Sequence, residues 1–482
     1  MNMKRINEST GLVGSYTGRV IPMRCSSTQF WLRTMWPLVL MLCSLSAQAQ
    51  LVFNVNSTLD QVDIDLSDGI CQTAAGTCTL RAAVMQANRV PGAGAMIFLP
   101  ASATPYGLTR LSGFGDEDSW GDLDLSTPAV GTPVITIRGA GASLTIIDAN
   151  QIDRVLDVKG SRIATISDVT IRGGLLASNS SLGGAGIHNA GSLTLMRVVI
   201  TNNKYFNFSR GGGILTTGTL AVFDSTIIGN QADFGAGIWN GGFITIDRST
   251  IAENAARLGG GLFLGGPSTI RNSLIINNSA SEIGGGILVD NSPLNYLINT
   301  TISGNSADLN GGGIYVLSGT LNIYSASVIN NDADHDRDQN GGIGGGIFVK
   351  PGAVLALRNS LIANNTVLGF FDDDCKGVLT GYGRNMVSST DGCSSNLGAL
   401  SLVTGSTIGP LQNNGGPTRT HALLAGSQAI DASLAASPCQ DQNAQLLTTD
   451  QRGAPRISGL RCDVGAYEFG SVLDLLFRDG FQ

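Results

Sequence analysis

From about residue 193 to residue 365 the apolar positions follow neither a helical stripe nor simple alternation. They recur as a phrase repeated seven times. Aligned on the first apolar position, one column reads Leu195, Val222, Ile246, Ile270, Leu297, Ile323 and Leu357. Three residues on stands a mostly small residue: Val198, Ser225, Ser249, Ser273, Thr300, Ala326 and Ser360. Two further on the column is Ile200, Ile227, Ile251, Ile275, Ile302, Val328 and Ile362, and three beyond that it is Asn203, Asn230, Asn254, Asn278, Asn305, Asn331 and Asn365. Successive asparagines are 27, 24, 24, 27, 26 and 34 residues apart. Between each Asn and the next phrase lies a glycine cluster closed by an aliphatic residue, from Gly186-Ile187 through Gly237-Ile238 to Gly346-Ile347.

A period of this size marks a solenoid, whose units bury their apolar faces only by stacking on one another. Leucine-rich repeats share the length and an Asn, but their return is helical or leucine-rich. Here the return is polar and then glycine-rich, and glycine is a poor helix former. Three strand-sized pieces per period, separated by bends, predict an all-β fold, a parallel β-helix with three short strands per coil. Coils about 4.8 Å apart would set each inward side chain on its own equivalent. An inward Asn would then pass a hydrogen bond from amide to amide, satisfying a group that is costly to bury alone. The glycines suit a positive φ or a close backbone approach. Their clusters lack the strand, spacing and helix that phosphate cradling requires.

Glycine, 65 of 482 residues, is in excess and charged residues, 13%, are scarce. Residues 1–49 read as a secretory signal peptide, with Arg33, an apolar run from Met35 to Leu45 and an Ala47-Gln48-Ala49 cleavage site, and with Met23 and Met35 as alternative starts. The run is too short to span a membrane. These residues hold five of the 29 basic and one of the 36 acidic residues, leaving 24 positive against 35 negative charges. Such a balance excludes nucleic acid as a partner. Six cysteines remain in three local pairs, Cys71 with Cys78, Cys375 with Cys393 and Cys439 with Cys462, which in an exported chain read as disulfides. Thr79 opens a run in which Leu80, Ala83, Val84 and Ala87 fall at helical spacing, so a short helix is expected to cover one end of the solenoid.

Three resemblances refine this outline. Asp68-Gly69-Ile70-Cys71 and Cys78-Thr79-Leu80-Arg81-Ala82 resemble the CSLREA domain of bacterial secreted proteins, with Thr79 and Ala82 in place of its Ser and Glu. The Gly-Gly-x-Ile and Ile-x-x-Asn elements resemble pectin-lyase-like β-helices and the repeats of chlamydial polymorphic outer-membrane proteins. The C-terminal motifs Gly409 to Leu423, Gly426 to Asp431, Asp450-Gln451-Arg452-Gly453 and Arg461 to Glu468 resemble the choice-of-anchor Q domain. They imply a right-handed parallel β-helix with an N-terminal cap at 50–95, a solenoid at 96–400, a small disulfide-bearing C-terminal region at 401–470 and a short sorting-like tail at 471–482. They also imply a secreted or surface-displayed bacterial protein, and bring no catalytic residues to carry over.

Candidate chemistry is sparse. The bend before the small column carries Asp224, Arg248, Asn272, Asn299, Ser325 and Asn359, and only Asp224 with Asp247 and Arg248 resembles a catalytic group of a polysaccharide lyase or hydrolase. The loop holding Asp332, Asp334, Asp336 and Asp338 offers alternate oxygen ligands for calcium, the one cofactor considered. Loops between the Asn and the glycines all leave one edge, and Tyr205, Phe206, Phe208 and Phe234 there are candidates for stacking on a sugar or meeting a surface protein. The expected function is therefore a monomeric binding or display module, with a carbohydrate-active enzyme as the alternative.

Overall fold

The computed structural model describes residues 50–89, 94–111, 118–126, 134–176, 183–337, 341–395 and 400–471. The signal-peptide segment, Asp338 and the tail from Leu476 lie outside the described residues.

One coil shows the plan. Phe243–Asp247 forms a strand of sheet A, Arg248 turns the corner, and Thr250–Ala252 belongs to sheet B. Asn254 turns the next corner, Ala255–Leu258 lies in sheet C, the glycines follow, and Leu262–Leu264 lies in sheet D before the chain re-enters sheet A at Ser268–Arg271. The ladders are parallel and hold their register from coil to coil. Leu195 pairs with Val222, then Ile246, Ile270, Leu297, Ile323 and Leu357. All of these are buried in one continuous core. Each buried aliphatic contributes about 1.5 to 3 kcal/mol. Sheet B is twelve-stranded and supplies the second inward column, Ile200 to Ile362.

Bends are built by backbone conformation as well as by side chains. Asp224, Arg248, Asn272, Asn299, Ser325 and Asn359 all adopt φ between 48° and 51°, a left-handed corner that Asn and Asp tolerate best. The serines of the small column lock these corners from behind. Ser249 Oγ, for example, accepts from the Ser225 N–H at 3.1 Å and donates to the Asp247 carbonyl at 2.9 Å.

The asparagines form an unbroken internal ladder. Asn254 Nδ2 donates to Asn278 Oδ1 at 2.9 Å and to the Ile227 carbonyl at 3.0 Å, while its own Oδ1 accepts from both Nδ2 and the backbone N–H of Asn230. The same linkage joins Asn203, Asn230, Asn254, Asn278, Asn305, Asn331 and Asn365. Glycine is required beside the ladder for two separate reasons. Gly235 has φ +57°, and Gly237, at an ordinary φ, would drive a Cβ against the Gly261 carbonyl and to 3.1 Å from Asn254 Nδ2.

Two features depart from a plain reading of the repeat. Much of the polar return is not loop, because from Ala255 to Asp372 it forms the six-stranded sheet C. In addition, the C-terminal region folds back over the outside of sheet B. Outward Ile329, Leu361, Ala363 and Met386 pack against Val403, Ile408, Leu423, Ala429, Val464 and Tyr467. Asn299 Nδ2 reaches the Thr449 carbonyl at 2.8 Å, Thr301 Oγ1 donates to Gln451 Oε1 at 2.6 Å, and Ser303 Oγ lies 2.9 Å from His421 Nε2. Disulfides join Cys71 to Cys78, Cys375 to Cys393 and Cys439 to Cys462.

At the other end, helix α1 spans Leu80–Ala87, with Thr79 Oγ1 accepting from the Ala82 N–H as its N-cap. Leu80, Ala83, Val84 and Ala87 join the solenoid core, and Arg81 is anchored by Asp60 and by the carbonyls of Asp118, Gly121 and Asp122.

Candidate ligand-binding face

From Leu123–Leu125 to Ile347–Val349 the strands of sheet D are three residues long, with the first and third pointing inward, so the middle residue is the outward one; the last, Cys375–Tyr382, is longer. The register aligns these middle residues as His188, Leu215, Trp239, Phe263, Leu288, Tyr315, Phe348 and Lys376. Six consecutive coils therefore place an apolar side chain on the outside of one sheet, flanked by ionisable groups at both ends. Leu215, Leu288 and Tyr315 are buried between their neighbours, whereas Trp239, Phe263 and Phe348 are half-buried. The Trp239 and Phe263 rings lie 6.0 Å apart with planes 26° from parallel, and those of Tyr315 and Phe348 lie 4.7 Å apart at 16°. The indole extends over Gly241, where a Cβ would sit 2.6 Å from its distal ring carbons.

Polar groups border this strip. On the side of sheet C, the Arg210 guanidinium lies 4.9 Å from the Trp239 ring, and Phe234 meets Phe263 edge-on at 6.2 Å. Arg257 sits 4.8 Å from the Phe234 ring and is paired with Glu282 at 2.9 Å. Where the strands run on toward sheet A, the chain supplies Asp290, hydrogen-bonded by Ser318 Oγ at 2.9 Å, and exposed Lys350. An apolar floor with a few polar groups at its borders is the usual composition of a small-molecule or sugar site.

The same outward column continues toward the N-terminal end as Asp157 and Asp124. With Asp122 they form the one acidic group among the described residues close enough to share a cation, their oxygens within 4.8 Å of one another. Arg154 Nη1 lies 2.9 Å from Asp122 and 3.3 Å from Asp157. Lys159 Nζ lies 2.9 Å from Asp124 and 2.7 Å from Asp157, and His188 Nδ1 2.7 Å from Asp157. Burial pushes the Asp122 carboxyl up to about 6 despite Arg154. Burial also acts upward on Asp157, but the His188 hydrogen bond and the Arg154 charge outweigh it and hold that carboxyl below its usual value. These carboxylates already have cationic partners from the chain itself.

The sequence candidates fall in several places. Asp224 and Arg248 form a two-toothed surface ion pair at 2.8 and 2.9 Å, and Arg248 also reaches Asp247 at 2.7 Å. A matching pair, Arg197 with Asp168, lies on the same edge of the solenoid. Asp168 is held below the usual carboxylate range by the Arg197 hydrogen bond, and Arg248 above its ordinary value by the Asp224 hydrogen bond. Asp332 accepts from Thr366 Oγ1 and the Gly369 N–H and faces His335, while Asp334 is buried in a left-handed turn and Asp336 is exposed. Asp332, Asp334 and Asp336 do not converge on one point. Tyr205 corrects an expectation. It is buried against Leu176 and Ala185, because the short strand Lys204–Tyr205 pairs with Leu175–Leu176 and turns the ring inward. Phe206 and Phe208 are exposed, and Phe234 belongs to the border of the aromatic strip.

A family model described as a right-handed β-helix region matches residues 135–333. The chain is a right-handed parallel β-helix. No protein of curated function matches it. Among solved structures, the crystal structure of pectate lyase Pel9A is similar at 13% identity and a TM-score of 0.47, over 87% of this chain and 96% of that one.

Proposed function

We propose that this β-helix is an exported bacterial protein, secreted or held at the outer cell surface, that binds glycans as a binding or display module. The observation that carries the reading is the outward column of sheet D, in which Trp239, Phe263, Tyr315 and Phe348 stand in register between polar borders. Aromatic rings combine a large apolar area with little conformational freedom to lose, which suits them to sugar rings whose C–H faces are apolar. Three disulfides and an excess of acidic over basic residues accord with export.

A polysaccharide lyase or hydrolase is the second reading. It is favoured by the Asp122, Asp124 and Asp157 group, because Lys159 and Asp124 also line an open concavity with Arg89, Asp118 and Ser119. The Lys159 ammonium is shared between two carboxylates, however, and in that form has no lone pair to offer as a base.

Incubation of the chain from residue 50 onward with a panel of soluble and insoluble polysaccharides, with and without calcium, separates the two readings. Retention on at least one glycan without new reducing ends or unsaturated products is the expected result. Turnover that disappears in Asp157→Ala or Lys159→Ala would replace the binding module by the enzyme.

A further inference from the structure

Resting on the glycan-binding reading, we propose that the strip takes a neutral, β-linked polysaccharide laid parallel to the solenoid axis, at about one sugar unit per coil. The direction follows from the register. From Ile187 to Val349 the pairings of sheet D advance without a bulge, so the outward side chains from His188 to Phe348 rise in a straight line at about 4.8 Å per step. That step is close to the rise per unit of an extended β-linked chain. A ligand lying along the axis meets Trp239 and Phe263 on adjacent coils and Phe348 three coils further on, with Leu288 and Tyr315 buried between them. One lying across it would meet a single ring before reaching Arg210 or Phe234 on one border and the turn toward sheet A on the other.

Neutrality follows from the charges. A polyuronate carries one carboxylate per unit and needs a cation at each step of the track. Beside the middle of the strip the cation is Arg257, already paired with Glu282, while Arg210 stands at one end and Lys350 and Lys376 at the other. In the N-terminal continuation the cations Arg154 and Lys159 are already engaged by Asp122, Asp124 and Asp157, so that end adds no cation for a polyanion. Sugars with equatorial hydroxyls present flat C–H faces to the strip and direct their hydroxyls sideways, toward the borders that hold Arg210, Glu282, Asp290 and Lys350. A protein strand is not accommodated by edge addition, because the strands from Ile187 to Val349 are already paired on both sides.

Four steps separate Trp239 from Phe348, about 19 Å at 4.8 Å each, so the rings span about five sugar units. Calorimetric titration of the chain from residue 50 onward with cello-oligosaccharides of increasing length, and with oligogalacturonates of matched length, tests the proposal. Affinity for the neutral series is expected to rise about tenfold or more up to about five units and then level off. Trp239→Ala and Phe348→Ala, at the two ends, are each expected to weaken five-unit binding about three- to tenfold, with the unfolding midpoint lowered but still well above the titration temperature. Length-independent affinity, equal or tighter binding of the galacturonates, or unchanged binding in both variants would overturn the axial neutral track while leaving glycan binding intact. Failure of every glycan in the wider panel would instead remove the functional reading on which it rests.

Discussion

Asn365, the last rung of the asparagine ladder, donates Nδ2 to Oδ1 of Asp374 at 2.9 Å, so a chain of neutral amides ends on a buried carboxylate. The second oxygen of Asp374 accepts from the N–H and Oγ of Ser388 and from the N–H of Ser389, and Oδ1 also accepts from the Asn365 N–H. Five donors converge on a group that only accepts. Asp374→Asn turns one oxygen into a donor facing donors, and it is expected to cost about 2 to 3 kcal/mol in denaturant unfolding at neutral pH. An unchanged midpoint would show that the site tolerates an amide donor among these N–H groups and needs no full carboxylate.

Within the ladder a different substitution probes the same network. Asn254→Leu removes the acceptor shared by the Asn230 side-chain amide and backbone N–H, leaving that buried N–H without its partner, and takes one of two donors from Asn278 Oδ1. The expected loss is about 1 to 3 kcal/mol. Equal destabilisation by Thr245→Leu, on the exposed side of sheet A, would show that the effect is not specific to the buried amides.

Asp224, Asp247 and Arg248 separate catalysis from surface electrostatics. Their side chains are partly exposed, and their ion pairs are of the kind whose net contribution is small. Arg248→Ala is expected to change the unfolding free energy by less than about 1 kcal/mol and to leave glycan retention unaltered. Loss of retention in this variant would move the binding face from sheet D to this edge of sheet A.

The reach of the sequence follows the geometry of stacking. Positions that meet their own equivalents, such as Ile246, Ser249, Ile251 and Asn254, recur because each coil imposes the same environment on the next, so their columns can be read directly. The residue after the Gly–aliphatic pair points outward and is free to vary. Read as His188, Leu215, Trp239, Phe263, Leu288, Tyr315 and Phe348, it looks irregular until the register shows that the variation is largely aromatic. Taking that variable position as a column of its own was the signal available. The contacts of Thr301 with Gln451 and Ser327 with Ala466 join segments more than a hundred residues apart and follow no period, so no repeat could announce the fold-back.

That fold-back is where pH is expected to act. Glu468 is buried beneath the C-terminal region, 4.0 Å from Arg456, and its oxygens accept from the N–H groups of Ser458 and Asp463. Burial, reinforced by the neighbouring Asp463 carboxylate, pushes its carboxyl from 4.5 up to about 8, and burial likewise pushes Asp463 up to about 6. Between the unfolded and folded values the native state keeps protons that the unfolded chain has released. The stability these groups contribute is therefore complete below about pH 4 and is lost progressively as pH rises toward 8. Glu468→Gln removes the ionisation but sets one amide N–H against the N–H of Ser458 or Asp463, so the variant is expected to be less stable at low pH while its decline between about pH 5 and 8 flattens. Amide hydrogen exchange over residues 450–468 at a series of pH values reads the effect locally. Superimposable pH profiles for the variant and the parent would place the titration elsewhere, and a steeper decline in the variant would mean that ionised Glu468 stabilises the fold-back through Arg456.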